Sequence, residues 1–266
     1  MEAVKPVLQA DTFTCLVLLG FSHFFMPTLG VVVFSLQGMK HLSRCLDSVQ
    51  WADAVTVRRL DQETRALASG EAGQPFQEIS TDWVLHLWGE ERVEAELSEE
   101  LRLIRQAELQ TAPLSYLIPV RSHLLGCWVK GSLWGPTPSP RLCRWVEDLP
   151  VGWWSVARKV RRGTSGLVHG WIGDYCCAEL RDGVDRINSM SSLWAERLLS
   201  EGRSLNTFAL TVRPLRILMR LLFINRLFCE GLAGLSLSVL AAYATLAGGM
   251  KLWEARQAAS RVRCLP

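Results

Sequence analysis

The sequence lacks most of the short motifs by which catalytic and metal sites are recognised. It contains no GxSxG, no HExxH and no P-loop, and its glycine-rich stretch 163–173 does not match a dinucleotide fingerprint. None of its 8 cysteines forms a CxxC pair, and its 5 histidines show no zinc-ligand spacing. There is no N-x-S/T sequon, which together with the cysteine usage favours a reducing compartment. These absences predict a protein that is not an enzyme and holds neither a metal nor a cofactor.

Charge is scarce as well. The net charge is only +3, from 29 Lys and Arg against 26 Asp and Glu, which is too small to indicate a nucleic-acid partner. The stretch from Gly231 to Met250 carries no charge at all. About 20 apolar residues in a helix match a hydrocarbon core of roughly 30 Å, and a helix satisfies its own backbone hydrogen bonds. We therefore predict a C-terminal transmembrane helix at 231–250 and a tail at 251–266, with a buried core helix as the alternative.

Small residues recur at helical spacing within this predicted span. Because lipid gives no hydrophobic reward for helix association, membrane helices pack where small residues let their backbones approach closely. The pattern predicts a face that packs against a partner helix, although small residues are also common in any span. The residues of this small-residue stripe are Gly234, Ser238, Ala241, Thr245 and Gly248.

A basic amphipathic helix is predicted at 204–230, directly before the span. Arg213, Arg216 and Arg220 share one helical face, and the opposite face is apolar. Such a helix suits the surface of an anionic membrane. We predict that these three arginines bind lipid headgroups. A cytosolic helix packed on its own domain is the alternative.

A second membrane-surface segment is predicted within 141–203, where aromatic rings lie among cations. Rings of this kind suit the headgroup layer, although the same composition can bind single-stranded nucleic acid. Since apolar runs lie on both sides, we favour the membrane and expect no nucleic-acid partner. The residues predicted to bind the membrane surface here are Trp153, Trp154, Arg158, Lys159, Arg161 and Arg162.

The N-terminal region 1–39 contains a second uncharged apolar run, Thr12–Leu36. Pro27 would kink a helix there, because proline removes one backbone hydrogen bond. We predict a transmembrane span, with a re-entrant segment or a buried hairpin as alternatives. A secretory signal is disfavoured because Glu2 and Asp11 spoil the positively charged start that such a signal needs.

The region between the two predicted spans reads as helical. In residues 40–134, apolar positions recur at three- and four-residue steps, for example at Leu97 and Leu101. Residues 135–140 are predicted to form a proline-rich linker, and 178–203 a further helix with one apolar face. The predicted fold class is therefore all-α: a membrane-embedded protein with two transmembrane helices and intervening amphipathic helices.

Two segments resemble the peroxin-eleven family of peroxisome-proliferation membrane proteins. GLAGLSLSVLAAYATLAGGMKLW is similar to the glycine- and serine-rich final helix of that family, and VFSLQGMKHLSRCLDSVQWADAV to its early amphipathic helix. The resemblance implies membrane elongation by amphipathic insertion, self-association and cytosolic termini.

These patterns together predict a non-enzymatic integral membrane protein that organises or shapes an intracellular organelle membrane. The organelle would be a peroxisome, a mitochondrion or the endoplasmic reticulum. Expected partners are a bilayer with anionic lipids and either further copies of the chain, as a homo-oligomer, or another helical membrane protein. Two other interpretations remain open: a subunit or scaffold of a membrane complex or pore, and a small membrane-bound enzyme that acts on lipid.

Overall fold

Within the described part of the chain, strands with two short helices come first, and three further helices follow. The protein is described by a computed structural model over residues 27–36, 39–60, 81–106, 111–133, 137–144, 165–200, 202 and 207–263. The strands are β1 Leu29–Ser35, β2 Ala54–Arg59, β3 Trp83–Trp88, β4 Glu91–Val93, β5 Ser115–Ile118, β6 Val120–Leu124, β7 Cys127–Val129, β8 Ser139–Arg144, β9 Ser165–Leu167 and β10 Ile172–Asp174. The helices are α1 Leu42–Asp47, α2 Ala95–Gln106, α3 Leu180–Ser200, α4 Thr207–Met219 and α5 Gly231–Arg263, with a π-helical turn Arg220–Ile224 and a 3-10 turn Leu227–Glu230 before α5.

The larger sheet has six strands in the order β2-β1-β3-β8-β5-β9. β1 runs parallel to both β2 and β3, and β8 is antiparallel to β3 and β5. All residues of β1, LGVVVFS, are buried, as are all those of β3, WVLHLW. A parallel strand that is covered on both faces becomes an almost continuous apolar run. That is why β1 resembles part of a membrane span in the sequence.

The smaller sheet has four strands in the order β4-β10-β6-β7. Its inner face holds buried side chains such as Val93, Ile172 and Leu124, which pack into the cores of the protein. Because successive side chains of a strand point to opposite faces, the residues between them face outward. Arg92 and Arg121 are both in register with Gly173 on this outer face.

The last three helices pack on one another and beneath the smaller sheet. Ile187 of α3 and Leu237 of α5 belong to the same buried cluster as Leu124 and Val129 of the sheet. α5 is part of one helical stretch, Leu227–Ala258, that is long and apolar enough to cross a membrane. One side of this stretch is buried against the protein, and residues such as Leu232 and Val239 are exposed on its other side.

The prediction of an all-α fold is wrong, because the described part of the chain contains two β-sheets. The predicted N-terminal span is wrong over 27–36, which contains β1, and the rest of it lies outside the described residues. The region 40–134 contains α1 and α2 but also most of the strands. Ser139 and Pro140, assigned to the linker, begin β8 and pair with β5. Strands of three to seven residues give too little sequence to display their period clearly, whereas helices display theirs.

Candidate functional site

The parallel strands β1 and β3 end side by side at one edge of the larger sheet. The backbone N–H of Gly89, just after β3, donates to the carbonyl oxygen of Phe34 at 2.8 Å. β2 and β3 lie on opposite sides of β1, so the chain changes its direction across the sheet after β2. In open α/β sheets, ligands bind outside the carboxyl ends of the strands at such a change of direction. We refer to this place as the carboxyl edge.

Two glutamates follow β3 at the carboxyl edge, and the second is tied to β8. Glu91 accepts two hydrogen bonds from the Arg141 guanidinium, at 2.6 and 3.1 Å, and one from the backbone N–H of Trp88 at 2.8 Å. Both side chains are fully buried. Burial raises the pKa of Glu91 to about 7, although the Arg141 charge and these hydrogen bonds act in the opposite direction. This pair joins the β3–β4 turn to the neighbouring strand and leaves the carboxylate no room for a substrate.

The first glutamate, Glu90, is held much more loosely. Its Oε2 lies 3.4 Å from Nε of Arg186 on α3, and neither atom has a hydrogen-bond partner among the described residues. Burial raises the pKa of Glu90, and the Arg186 charge counteracts this rise. Burial likewise lowers the pKa of Arg186. Buried ionisable groups with shifted pKa values are typical of sites of proton transfer. Glu90 is therefore the candidate proton-transfer residue of the carboxyl edge.

The described residues do not form a recognisable metal centre. No group of three or more His, Cys, Asp or Glu side chains in this part of the chain is arranged to hold an ion. His86, on β3, is engaged with the backbone carbonyl of Arg141 at 3.2 Å. His169 and Gly170 donate their backbone N–H groups to Glu100, at 3.0 and 2.7 Å. The His86 ring and the His169 backbone thus have partners within the fold.

Beside the carboxyl edge, the outer face of the smaller sheet carries a cluster of rings and cations. The ring centroid of Trp128 lies 5.1 Å from that of His123, 4.7 Å from Trp171 and 5.2 Å from Tyr175. The guanidinium carbon of Arg92 lies 4.1 Å from the Tyr175 centroid, and that of Arg121 lies 4.6 Å from the Trp171 centroid. We call this cluster the aromatic–arginine face; its members are Arg92, Arg121, His123, Trp128, Trp171 and Tyr175.

Gly173 lies at the centre of this face because a larger residue would not fit. A Cβ atom there would lie 2.7 Å from Oε1 of Glu94, 3.1 Å from Trp128 and 3.2 Å from Tyr175. The backbone of Tyr175 is tied to the carboxyl edge, since its N–H donates to the carbonyl oxygen of Glu90 at 3.1 Å. The rings therefore stand close together over the sheet, next to the two glutamates.

A third surface, on α4 and α5, is apolar and exposed. Phe208, Leu215 and Met219 recur along α4, and Leu232, Leu235 and Val239 along α5. In the turns between these helices, Phe223 and Ile224 are 60% and 75% exposed. We call this surface the apolar stripe; its members are Phe208, Val212, Leu215, Met219, Phe223, Ile224, Phe228, Leu232, Leu235, Val239 and Tyr243.

The predicted lipid-binding arginines lie beside the apolar stripe. Arg213, Arg216 and Arg220 are all exposed. Leu215 and Met219, on the apolar face opposite the arginines, are exposed as well, and whether this helix binds lipid stays a prediction. The other residues predicted to bind the membrane surface (Trp153, Trp154, Arg158, Lys159, Arg161 and Arg162) lie outside the described residues.

The small-residue stripe of α5 packs against the chain itself. Ser238 donates to the carbonyl of Gly234 at 2.8 Å, and Thr245 to that of Ala241 at 3.0 Å, so both hydroxyls are satisfied within the helix. A Cβ at Gly248 would lie 2.6 Å from the Trp194 ring of α3. The small-residue stripe thus lets α5 pack closely on neighbouring segments of the same chain. The homo-oligomer stays a prediction.

Sequence reasoning missed the aromatic–arginine face and Glu90. The signal for the face was the segment SYLIPVRSHLLGCWV, in which Val120, Ser122 and Leu124 alternate with Arg121 and His123. Residues 125–126 form its turn, with positive φ at both positions. A period of two followed by Leu-Gly predicts a hairpin. The surrounding apolar residues concealed that pattern.

No family model and no curated protein matches the chain. Among solved structures, it is similar to residues 1–349 of TarS from S. aureus, with 11% identity and a TM-score of 0.37, over 87% of this chain and 92% of that one. The prediction of a non-enzymatic protein that shapes a peroxisomal or other organelle membrane is wrong, because it depends on an all-α membrane-embedded fold, whereas the described part of the chain has a mixed α/β fold with two sheets.

Proposed function

We propose that this protein is an enzyme held at a membrane surface, with its reaction at the carboxyl edge. The observation that carries the proposal is the apolar stripe on α4 and α5. Large apolar side chains are exposed along both of these packed helices, and exposed apolar surfaces mark contacts with lipid or with other proteins. Here the stripe is bordered by Arg213, Arg216 and Arg220, which suits anionic headgroups.

The geometry of the helices supports lipid as the partner. Two turns at residues 220–230 connect α4 to α5, and the side chains of Phe223, Ile224 and Phe228 are exposed there. Apolar side chains at such a reversal can enter the acyl layer while nearby arginines remain at headgroup depth. The 227–258 stretch has the length and composition to reach further into the bilayer.

The chemistry is assigned to Glu90. It follows a strand end at which α/β folds bind ligands, its pKa is raised by burial, and its contact with Arg186 is loose. A carboxyl group with a raised pKa keeps its proton to higher pH and is a stronger base once ionised, which suits general acid–base catalysis. Nucleotide-linked compounds are the first substrates to assay, because nucleotides are the ligands most typical of such strand ends.

The membrane part is tested by sedimentation of the full chain with vesicles that contain anionic lipid. Phe223→Ser together with Ile224→Ser should weaken binding by about tenfold or more, since each large apolar side chain contributes roughly 1.5–3 kcal/mol when buried. Leu103→Ser is the matched control, because Leu103 is 65% exposed on α2, away from the stripe. Equal binding by both variants would refute the proposed attachment.

The enzymatic part is tested by Glu90→Gln in the membrane-bound protein. The wild type is incubated with membrane lipid and a panel of nucleotide-linked sugars, and lipid-linked products are measured by mass spectrometry. We expect Glu90→Gln to lower turnover by about 100-fold or more, the usual contribution of general acid–base catalysis. Glu99→Gln, on exposed α2, should have no effect. Undiminished turnover in Glu90→Gln, or no product from any member of the panel, would count against this assignment.

A further inference from the structure

We propose that the aromatic–arginine face is a binding site for a phosphorylated sugar. This ligand goes beyond the reaction proposed at Glu90, and its binding can be measured without any turnover. Three properties of the face lead to it: an available cation, polar atoms that lack partners, and the angles between its rings.

The cation that suits the phosphate is Arg121. Its guanidinium lies over Trp171, and it forms no ion pair with any residue in the described ranges. Arg92 differs, because the Glu94 carboxylate lies near it: burial raises the pKa of Glu94, and the Arg92 charge counteracts that rise. Glu94 is also hydrogen-bonded to Tyr175. The positive charge of Arg92 thus has a carboxylate nearby, whereas that of Arg121 is available to an anion. Guanidinium groups bind phosphate through paired, charge-assisted hydrogen bonds.

Two nitrogen atoms of the face lack a partner within the described protein. Nδ1 of His123 and Nε of Arg92 are both buried and make no hydrogen bond there. Most buried polar groups in native proteins are paired, and each exception requires an explanation. Water or the hydroxyl groups of a bound sugar would supply the missing partners. This observation is independent of the charge on Arg121.

The angles between the rings favour a sugar over a nucleotide base. Around Trp128, the rings of His123, Trp171 and Tyr175 are tilted by 71°, 75° and 78°. His123 and Tyr175 are closer to parallel, at 31°, but their centroids are only 5.7 Å apart, which leaves no space between them for a base. A planar base gains most from stacking on parallel ring faces. A sugar ring presents C–H groups instead, which suit the single exposed indole of Trp128 because an aromatic face carries negative charge density.

The test is calorimetric titration of the full chain in lipid nanodiscs with glucose 1-phosphate, glucose, inorganic phosphate and UMP. We expect saturable binding that is tightest for glucose 1-phosphate. Arg121→Gln should weaken that binding by about tenfold or more, since hydrogen bonds to charged groups are the stronger ones. Its effect on glucose should be small. Trp128→Ala should weaken the binding of both sugars, and Trp128→Phe should restore part of it.

Arg102→Gln is the matched control, because Arg102 is an exposed arginine on α2 that pairs with Glu99 at 3.3 Å. Circular dichroism of each variant establishes that it is folded, and Arg121→Gln alone decides the role of the cation. The proposal is overturned if glucose 1-phosphate does not bind, or if both Arg121→Gln and Trp128→Ala bind it as the wild type does. Equally tight binding of UMP or inorganic phosphate would overturn the assignment to a sugar.

Discussion

His86 should make the stability of the protein depend on pH. It lies in β3 with 2% of its surface exposed, and its ring stacks on Phe34 at a centroid distance of 6.1 Å and an angle of 8°. Nδ1 donates to the carbonyl oxygen of Arg141 at 3.2 Å. Burial lowers the pKa of His86 to about 4; the hydrogen bond opposes this shift and the Arg141 charge adds to it.

The direction of the effect follows from where the proton is bound. Between pH 6.5 and about 4, the unfolded chain is protonated at His86 and the folded protein is not. The free energy of unfolding should therefore fall as the pH is lowered through this window, and this contribution should level off below pH 4. A pKa shift from 6.5 to about 4 corresponds to roughly 3 kcal/mol. The free energy of unfolding of a typical domain is about 5–15 kcal/mol, so this contribution equals about one third of a mid-range value.

Urea unfolding of the detergent-solubilised protein measures this contribution. Wild type and His86→Gln are compared from pH 7 to pH 4, since glutamine keeps a hydrogen-bond donor but does not titrate. Other groups titrate equally in both proteins and cancel in the difference. That difference should change by about 3 kcal/mol across the window, in favour of the variant at low pH. A difference that stays constant with pH would show that His86 is not kept neutral by burial.

Three further substitutions test the packing described above, all by the same unfolding measurement. Glu91→Gln should cost about 3–5 kcal/mol, because it leaves the Arg141 charge buried without its carboxylate; a loss below about 1 kcal/mol would contradict a buried ion pair. Gly170→Ala should cost about 1–3 kcal/mol, since a Cβ there would lie 2.5 Å from the backbone nitrogen of Leu97; an unchanged midpoint would disprove that close approach. Arg102→Gln should change stability by less than about 0.5 kcal/mol, because its ion pair is exposed; a loss above 1 kcal/mol would be inconsistent with that exposure.

The helices were predictable from the sequence and the strands were not. The helix expected at 178–203 is α3, Leu180–Ser200, and the helix of the predicted C-terminal span extends from Gly231 to Arg263. Leu97 and Leu101 are fully buried on α2, as their spacing indicates. Helices of 12 residues or more repeat their pattern several times within one segment. The strands among the described residues are at most seven residues long, and β1 and β3 are apolar on both faces, so neither shows an alternation.

The candidate sites were hidden for a different reason. Glu90 and Glu91 lie in a charged stretch whose sequence resembles the solvated surface of a helix. Their different environments are visible only in the fold, which places Arg186 beside Glu90 and Arg141 beside Glu91. The aromatic–arginine face draws residues from β4, β6, β7 and the two ends of β10. No local spacing connects Arg92 with Tyr175, because sheet pairing between distant segments brings them together.

Helix α5 has one buried side and one exposed apolar side. Leu237 is fully buried beside Val129 and Leu227, and a Cβ at Gly131 would lie 3.2 Å from it, so the helix closes the underside of the smaller sheet. Cutting the chain before residue 227 would therefore expose the interior of the protein. Polar replacements that keep this packing intact are confined to outward-pointing positions such as Leu232 and Val239.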